Sequence, residues 1–330
     1  MQYRKLGTTD IDASVIGFGA WAIGGWMWGG VEEKDAVRAI DAAVDCGINL
    51  VDTAPMYGYG RSEEIVGKAI AGKREKVVLA TKCGLRWDDK DWPAGEGVLH
   101  FYGDEKGATS NTSATRIYKY LRPDSIRREV EQSLSRMKTD YIDLLQTHWQ
   151  EETTPIEATM EALLQLKEQG KIRAIGVSNV TVDHLRQYLA VGPVDVAQEK
   201  YSMLDRQIEQ NGLLDLCKAN GVSLLAYSPM ANGLLTGKIS PDREFNEGDL
   251  RRNHPRFSQE NIKRVNAALN NLRPIAEKHN ATLAQLVIAW TAAQYEKMHV
   301  LCGARNAPQV LENAPAGDLV LGDDILELGI

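Results

Sequence analysis

The chain has 330 residues and a formal net charge of -7 at pH 7, with 43% hydrophobic and 25% charged residues. These fractions are ordinary for a soluble globular protein, and the acidic balance argues against a nucleic-acid-binding surface. The first residues lack the apolar run of a signal peptide, and no later segment is long enough to span a membrane. We therefore expect a cytoplasmic protein without a membrane partner.

The four cysteines give no sign of a disulfide framework or a metal site. Cys46, Cys83, Cys217 and Cys302 are scattered, with no Cys-x-x-Cys pair and no neighbouring histidine at ligand spacing. Disulfide scaffolds and structural zinc sites normally show such spacings. We expect no bound metal.

The chain begins with a predicted β-hairpin, residues 3–6 and 11–14, on either side of a polar turn that contains Gly7. Eight short apolar segments follow, and each is typical of a buried strand. They are residues 15–18, 48–52, 77–82, 141–146, 172–177, 194–197, 222–227 and 300–302. Helical patterns separate them, with no linker-like change of composition between them.

This alternation predicts a (β/α)8 TIM barrel, one domain over residues 1–330 with the hairpin as a plug at one end. The alternative is a doubly wound sheet, which normally carries a Gly-x-Gly-x-x-Gly turn after an early strand. The sequence Gly17-Phe18-Gly19 lacks the third glycine of that pattern. The barrel is therefore the preferred fold.

Two long loops are predicted, residues 84–121 after the third strand and about 228–254 after the seventh. The first contains Trp87, Trp92, Phe101 and Tyr102, which favour a substrate lid over a surface excursion. Among the helices, Pro123 suits a first helical position. Thr154-Pro155-Ile156-Glu157 is typical of a capping box, and residues 259–279 suggest a continuous helix.

Four candidate catalytic residues lie at or beyond the carboxyl ends of three successive predicted strands. Asp52 ends the second strand and Tyr57 follows five residues later, while Lys82 ends the third and His148 follows the fourth. In a barrel these strand ends converge on one mouth. Each residue alone also has an ordinary structural explanation: Asp52 could cap a turn, and His148 could be a core histidine.

The four residues together suit the reduction of a carbonyl group. That reaction needs a hydride at carbon and a proton at oxygen, but tyrosine is a poor acid because its reference pKa is about 10. We expect the Lys82 ammonium to lower the pKa of Tyr57, and Asp52 to hold Lys82 in place. His148 could orient the carbonyl oxygen by a hydrogen bond.

The residues around these positions resemble the motifs of the aldo-keto reductases. The matching segments are Asp52-Thr53-Ala54-Pro55-Met56-Tyr57-Gly58, Leu79-Ala80-Thr81-Lys82 and Gly176-Val177-Ser178-Asn179. The similarity extends from the hairpin to about Asn313 and is nearest to the bacterial branch of inositol-locus and glyceraldehyde reductases. It implies a catalytic tetrad of Asp52, Tyr57, Lys82 and His148, a nicotinamide cofactor, no metal, and a small carbonyl substrate.

The resemblance also implies a set of cofactor-binding residues. Ser178, Asn179 and Gln198 match the carboxamide site, and Tyr201 matches the ring on which the nicotinamide stacks. The pyrophosphate and adenosine positions correspond to Ser228, Leu234, Gly237, Lys238, Gly303, Arg305, Gln309, Glu312 and Asn313. The guanidinium of Arg305 suits a phosphate, which favours NADP over NAD.

An aromatic substrate pocket is expected from Trp21, Trp87 and Trp149, and Trp21 is also assigned to the cofactor site. Trp149-Gln150-Glu151 stands where much of the family has a Pro-Asp pair, which affects the pocket's local shape. The sequence therefore predicts an NADPH-dependent aldehyde and ketone reductase. Two alternatives are a cofactor-binding regulatory subunit with slow turnover and an aldolase that uses Lys82 as a Schiff base.

Overall fold

The computed structural model describes residues 1–87, 96–104, 106–322 and 325. Eight parallel strands close into a barrel in which consecutive strands pair and the eighth pairs with the first. The strands are Ile16–Gly19, Leu50–Asp52, Val78–Cys83, Ile142–Thr147, Ile172–Ser178, Val196–Lys200, Ser223–Tyr227 and Met298–Gly303. The predicted (β/α)8 barrel is thus confirmed.

Helices surround the barrel and bury their apolar faces against the outer sides of the strands. The α-helices are Glu33–Asp45, Arg61–Ile70, Pro123–Met137, Ile156–Glu168, Val182–Val191, Gln207–Gln210, Leu213–Asn220, Gln259–Asn270, Arg273–Lys278, Leu283–Ala293 and Ala307–Asn313. Short 3-10 helices are Ala22–Gly24, Arg74–Lys76, Ala231–Thr236, Pro255–Phe257 and Ala314–Asp318. Pro123 occupies the start of its helix as predicted.

The N-terminal hairpin closes the amino-terminal end of the barrel. Strand Tyr3–Lys5 pairs in antiparallel fashion with Asp12–Ser14. Leu6 and Ile11 are buried in one cluster with apolar residues from inside the barrel. The hairpin therefore acts as the predicted plug, and the opposite end remains for a site.

The barrel interior changes from apolar to polar along the strands. Alternate residues of a strand face the same side, so side chains two positions apart follow one another along the interior. Four strands make the change in this way: Leu50 precedes Asp52, Ala80 precedes Lys82, Leu144 precedes Gln146, and Val196 precedes Gln198. The hydrophobic half secures the fold, while the polar half lies at the carboxyl-terminal mouth.

In the long loop predicted after the third strand, the described residues include four strands that form a sheet. Its strands are Leu85–Trp87, Val98–Gly103, Ala108–Thr109 and Thr115–Lys119, in an antiparallel arrangement separate from the barrel. Aromatic and β-branched residues in 98–102 and 115–119 have the side chains that strands favour. We call these four strands the inserted sheet. Trp92 lies outside the described residues.

Two helix predictions were wrong in detail. The helix expected over 259–279 ends at Asn270 and a new one begins at Arg273, because Pro274 cannot continue a helical hydrogen-bond ladder. The capping box expected at Thr154 is not formed: Pro155 is the N-cap residue of helix Ile156–Glu168 and makes no side-chain cap. Capping boxes occur instead at Thr181 and Thr282.

Candidate active site

A buried ion pair joins the second and third barrel strands at the mouth. Nζ of Lys82 donates hydrogen bonds to Oδ2 of Asp52 at 2.7 Å and to the carbonyl oxygen of Thr53 at 2.9 Å. The other carboxylate oxygen of Asp52 accepts from the side-chain amides of Gln146 at 3.0 Å and Gln198 at 2.9 Å. Each charge therefore has several partners, as burial away from water requires.

Glycine at position 176 makes room for this network. A Cβ there would lie 2.6 Å from Cγ of Gln146, which is too close for a real contact. Gln146 was not among the predicted site residues. Its position two residues after Leu144 on an inward-facing register is the signal that could have revealed it.

The loop after the second strand holds Tyr57 over the ion pair. The amide of Tyr57 donates to Ala54, and the carbonyl of Tyr57 accepts from Ser62 at the start of the next helix. Gly58 has a φ of 71° and sits so close to Gly24 that a Cβ would lie 2.6 Å from the Gly24 oxygen. Only glycine combines this conformation with that approach, so the phenol is placed by tight backbone packing.

Tyr57, Lys82 and His148 are brought together in space. Nζ of Lys82 lies 5.0 Å from the centroid of the Tyr57 ring. The His148 ring centroid lies 5.9 Å from the Tyr57 centroid, with the two rings nearly perpendicular at 83°. Trp21 stacks on the Tyr57 ring, with a centroid distance of 6.1 Å. The four predicted tetrad residues thus form one cluster.

The charge states of these groups follow from burial and from one another. Burial raises the pKa of Tyr57, and the attraction of Lys82 opposes this shift without reversing it. Burial by itself would lower the pKa of Lys82, but Asp52 and Tyr57 outweigh it and the pKa is raised. Burial, followed by the charge of Lys82, puts the pKa of His148 well below its usual value.

One expectation about electrostatics therefore needs correction. The pKa of Tyr57 was expected to fall because of Lys82, yet in this structure it is raised, since burial outweighs the charge of Lys82. The resting site contains a protonated phenol, an ammonium ion and a neutral imidazole. A neutral His148 can still donate a hydrogen bond to a substrate oxygen.

A cavity of about 800 Å³ opens beside Tyr57 and His148. Twelve of the residues predicted to bind cofactor or substrate line it. These are Trp21, Trp149, Ser178, Asn179, Gln198, Ser228, Lys238, Gly303, Arg305, Gln309, Glu312 and Asn313. The predicted set thus outlines one continuous site that reaches from the tetrad to the turn after the eighth strand.

Hydrogen bonds fix the amide side chains next to the tetrad. Nδ2 of Asn179 donates to the carbonyl oxygen of His148 at 2.9 Å, and Oδ1 accepts from the hydroxyl of Tyr227 at 2.8 Å. The hydroxyl of Ser178 donates to the carbonyl of Gln198 at 2.8 Å. Asn179 has a left-handed φ of 53°, and the buried carboxyl group of Glu199 accepts from the next amide, that of Val180, at 2.9 Å.

Tyr201 does not occupy the position predicted for it. Its side chain is fully buried outside the cavity, where the ring stacks on Trp290 and the hydroxyl donates to Glu209. Tyr227 lines the cavity instead, beside Asn179. The two tyrosines are placed differently because Tyr201 follows the sixth strand and turns outward against a helix, whereas Tyr227 ends the seventh strand at the mouth.

Three further predicted residues lie near the cavity without lining it. Leu234 is completely buried in the main core, and Gly237 packs near Leu283. Trp87 belongs to the inserted sheet and contacts Tyr59, with ring centroids 5.6 Å apart. Trp87 therefore supports the wall of the site and is not part of the cavity surface.

The far end of the cavity is strongly basic. Arg243, Arg251, Arg305 and Lys238 all line it. Arg251 is paired with Asp249, with a closest distance of 2.7 Å, and Lys238 is paired with Glu312. Arg305 donates to the carbonyl of Trp28 at 3.3 Å, and burial, followed by repulsion from Arg251, lowers its pKa. Such a cluster favours a bound anion.

The side chain of Gln150 holds the Trp149-Gln150-Glu151 segment in place beside the cavity. Its Nε2 donates to Thr147 at 2.9 Å and to the carbonyl of Ser178 at 3.1 Å, while its Oε1 accepts from Tyr188 at 2.7 Å. These bonds attach the segment to the next strand and leave Trp149 on the cavity wall. This role of Gln150 was not predicted from the sequence.

The described residues contain neither a candidate membrane span nor a candidate metal site. In that part of the chain, no helix is both long enough and apolar enough to cross a bilayer. The same residues contain no group of three or more His, Cys, Asp or Glu side chains that could hold a metal ion.

Comparison with known proteins identifies the class of this barrel. A model of the Aldo/keto reductase family matches residues 15–327. A curated relative, the NADH-specific methylglyoxal reductase of Escherichia coli (strain K12), is 43% identical over 329 residues, covering 98% of this chain and 95% of the relative. Aldo-keto reductase YhdN of Bacillus subtilis (strain 168) is 39% identical over 313 residues, 94% of this chain and 87% of the relative. The chain belongs to the aldo-keto reductase family.

Solved structures agree with that assignment. Glycerol dehydrogenase AKR11B4 from Gluconobacter oxydans has a TM-score of 0.84 and 36% identity, covering 98% of this chain and 92% of its own. An aldo/keto reductase from Klebsiella pneumoniae in complex with NADP and acetate has a TM-score of 0.66 and 28% identity, covering 96% and 89%. The family resemblance seen in the sequence is confirmed, and the chain is an oxidoreductase of the nicotinamide-dependent kind.

Proposed function

We propose that this protein reduces an aldehyde or ketone to an alcohol, with NADPH as hydride donor and Tyr57 as proton donor. The observation that carries the proposal is the cluster at the cavity floor. The phenol of Tyr57 lies beside the Lys82 ammonium, which Asp52 fixes at 2.7 Å, and a neutral His148 faces the phenol ring.

The residues of the cavity suit a dinucleotide. Amide and hydroxyl groups of Ser178, Asn179 and Gln198 near the tetrad can hydrogen-bond a carboxamide. The ring of Tyr227 is fixed through its hydroxyl bond to Asn179 and offers a face for stacking. The basic residues at the far end suit phosphates. When bound, the cofactor supplies a hydride to the carbonyl carbon of the substrate.

Residues of the protein supply the proton and stabilise the charge that develops during the reaction. His148 hydrogen-bonds the substrate oxygen and orients the carbonyl over Tyr57. As the carbon accepts the hydride, the hydroxyl of Tyr57 gives its proton to the oxygen, which becomes the alcohol. The resulting phenolate is stabilised by the Lys82 ammonium, and Asp52 keeps Lys82 charged. One carbonyl is reduced for each NADPH oxidised, and solvent returns the proton to Tyr57.

The preference for NADPH rests on the basic end of the cavity. Arg305 lies close enough to Arg251 and Arg243 for their charges to repel one another. A 2'-phosphate would relieve this repulsion and accept hydrogen bonds from the guanidinium groups. The Escherichia coli relative is named as NADH-specific, so both cofactors belong in any test.

The expected substrates are small oxygenated carbonyl compounds. Two relatives carry methylglyoxal and glycerol in their names, and each of these compounds has oxygen atoms on neighbouring carbons. The cavity wall near Tyr57 combines aromatic side chains with few polar ones, which suits a small substrate held by a small number of hydrogen bonds.

The alternative of a Schiff-base aldolase is disfavoured by the surroundings of Lys82. The Lys82 side chain is only 1% exposed, its pKa is raised, and its Nζ donates to both Asp52 and Thr53. A Schiff base needs a neutral, accessible amine. A regulatory subunit would bind the cofactor through the same contacts and would differ from a reductase only in its slow turnover.

The experiment uses NADPH deuterated at the transferable C4 position and, in turn, several small aldehydes and ketones. We expect multiple turnovers and an alcohol product one mass unit heavier, with deuterium on the carbinol carbon. A product without deuterium would contradict direct hydride transfer. Tight cofactor binding without multiple turnovers would favour the regulatory subunit.

A further inference from the structure

The inserted sheet contains a β-bulge at His100. Leu99 pairs with Tyr118, but Phe101 pairs with the very next residue, Ile117, so His100 is an extra residue on its strand. Successive side chains of a regular strand point to opposite faces. The bulge breaks this alternation, and both His100 and Phe101 line the cavity. Bulges near active sites commonly re-aim a side chain in this way.

The ring of His100 meets the loop that carries His148. Its centroid lies 5.0 Å from the centroid of Trp149, which directly follows His148, and 5.1 Å from that of Phe101. The charge of His100, if present, would also influence the pKa of His148. The bulged residue is therefore within the reacting end of the cavity and not at its distant basic end.

His100 is a neutral imidazole with hydrogen-bonding capacity to spare. Burial and, secondarily, the charge of Lys119 lower its pKa. A neutral ring has one N–H donor and one nitrogen acceptor. Among the residues that the structure describes, none forms a hydrogen bond with this ring.

The surroundings of His100 are apolar. The lining residues near it belong to a hydrophobic cluster that includes Trp26, Met56, Leu85 and Phe101. A polar group in an apolar wall discriminates strongly between substrates that carry a matching polar group and substrates that lack one. A substrate without such a group leaves the polar side chain unpaired. His100 thus supplies a specific point of recognition beside the tetrad.

We infer that His100 hydrogen-bonds a second oxygen of the substrate, on the carbon next to the reacting carbonyl. The substrate class is then 2-hydroxy and 2-oxo aldehydes and ketones. This inference rests on the proposed function and adds a specificity-determining residue to it. His148 and Tyr57 contact the reacting oxygen, while His100 contacts the neighbouring one.

The test compares two aldehydes that differ by one hydroxyl group, 2-hydroxypropanal and propanal. The quantity is the ratio of their kcat/KM values, corrected for hydration of the aldehydes. We expect the wild type to prefer 2-hydroxypropanal. In His100→Phe, which keeps an aromatic ring and removes both polar nitrogens, this ratio should fall about 10- to 100-fold. In His100→Gln, which keeps a donor and an acceptor, part of the preference should return.

Binding of NADPH provides the control for folding, because His100 lies away from the basic end of the cavity. An unchanged ratio in His100→Phe would overturn the inference, as would an equal loss of kcat/KM for both aldehydes or a wild type that prefers propanal. If the wild type turned over neither aldehyde nor any other carbonyl, the proposed function would fail as well. If the enzyme turns over both aldehydes but the ratio is unchanged in His100→Phe, only the role of His100 is contradicted and the proposed function stands.

Discussion

Nζ of Lys82 and Oδ2 of Asp52 lie 2.7 Å apart, and the exposed fractions of the two side chains are 1% and 3%. Removing two charges from water is costly, and a buried pair is stable only when further hydrogen bonds satisfy both partners. Thr53, Gln146 and Gln198 provide those bonds. The pair thus places a permanent positive charge beside Tyr57, which is what a phenol needs in order to release a proton.

Removing one member of this pair should affect stability and turnover together. In Asp52→Asn the Lys82 charge loses its buried partner, and we expect the free energy of unfolding to fall by about 3–5 kcal/mol, with loss of turnover. Urea unfolding and steady-state kinetics measure the two effects. Asp12→Asn is the matched control, since the exposed pair of Asp12 with Lys5 should contribute at most about 1 kcal/mol. Equal stability of both variants would contradict the buried-pair account.

The stacking role of Tyr227 can be separated from that of Tyr201. Tyr227→Ala removes a ring from the cavity wall, and we expect the Kd for NADPH to rise about 3- to 10-fold. Tyr201→Ala removes a ring that packs on Trp290 outside the cavity, so it should lower thermal stability more than cofactor affinity. Fluorescence titration measures both Kd values. A larger loss of affinity in the Tyr201 variant would restore the original sequence-based assignment.

Arg305 should control the choice between NADPH and NADH. Charge-assisted hydrogen bonds contribute about 1.5–3 kcal/mol, so Arg305→Leu should raise KM for NADPH about 10- to 100-fold. The KM for NADH should change little. Arg186→Leu is a charge-matched control, because Arg186 is exposed on the surface of a helix and pairs there with Asp183. Equal changes in KM for the two cofactors would show that Arg305 does not read the 2'-phosphate.

The sequence was sufficient to predict the barrel and the meeting of Asp52, Tyr57, Lys82 and His148 at its mouth, because both depend on local pattern. The alternation of apolar strands with helices indicates the barrel. Residues at the carboxyl ends of its strands meet at one mouth regardless of the conformation of the loops. Tyr201 and Tyr227 show the limit of this reasoning, since both follow strands and only packing against Trp290, almost 90 residues later, turns Tyr201 away.

The inserted sheet also has a feature that could not be predicted from the sequence. The bulge at His100 is a property of the register between two strands, and register depends on long-range pairing. Nothing in the composition of residues 98–103 distinguishes a bulged strand from a regular one. The net pKa shift of Tyr57 was likewise beyond the sequence, because it depends on how completely the phenol is removed from water.

Stability should depend on pH through Glu199. Burial raises the pKa of this carboxyl group to about 8, although amide hydrogen bonds from Val180 and Asn179 oppose the shift. The usual pKa of an unfolded glutamate is about 4.3. Between these values the folded protein retains a proton that the unfolded chain releases. The free energy of unfolding should therefore fall as pH rises through this window, by up to about 1.4 kcal/mol per pH unit.

Glu199→Gln tests this dependence because glutamine does not titrate. Urea unfolding at pH 5.5 and pH 8.5 should show a smaller loss of stability in the variant than in the wild type. Glu131→Gln serves as a control, since Glu131 is exposed and paired with Lys171. If the wild type and Glu199→Gln lose the same stability between the two pH values, the carboxyl group is not protonated in the folded protein.

Single-turnover kinetics at saturating NADPH measure whether Tyr57 delivers the proton. Tyr57→Phe should bind NADPH normally and reduce the carbonyl at least about 100-fold more slowly, since general acid catalysis typically contributes 10²–10⁴-fold. Tyr59→Phe is the matched control, because the Tyr59 hydroxyl is buried without a hydrogen-bond partner among the described residues. A wild-type rate in Tyr59→Phe with a slow Tyr57→Phe is the predicted result. Equal rates in Tyr57→Phe and the wild type would contradict the mechanism.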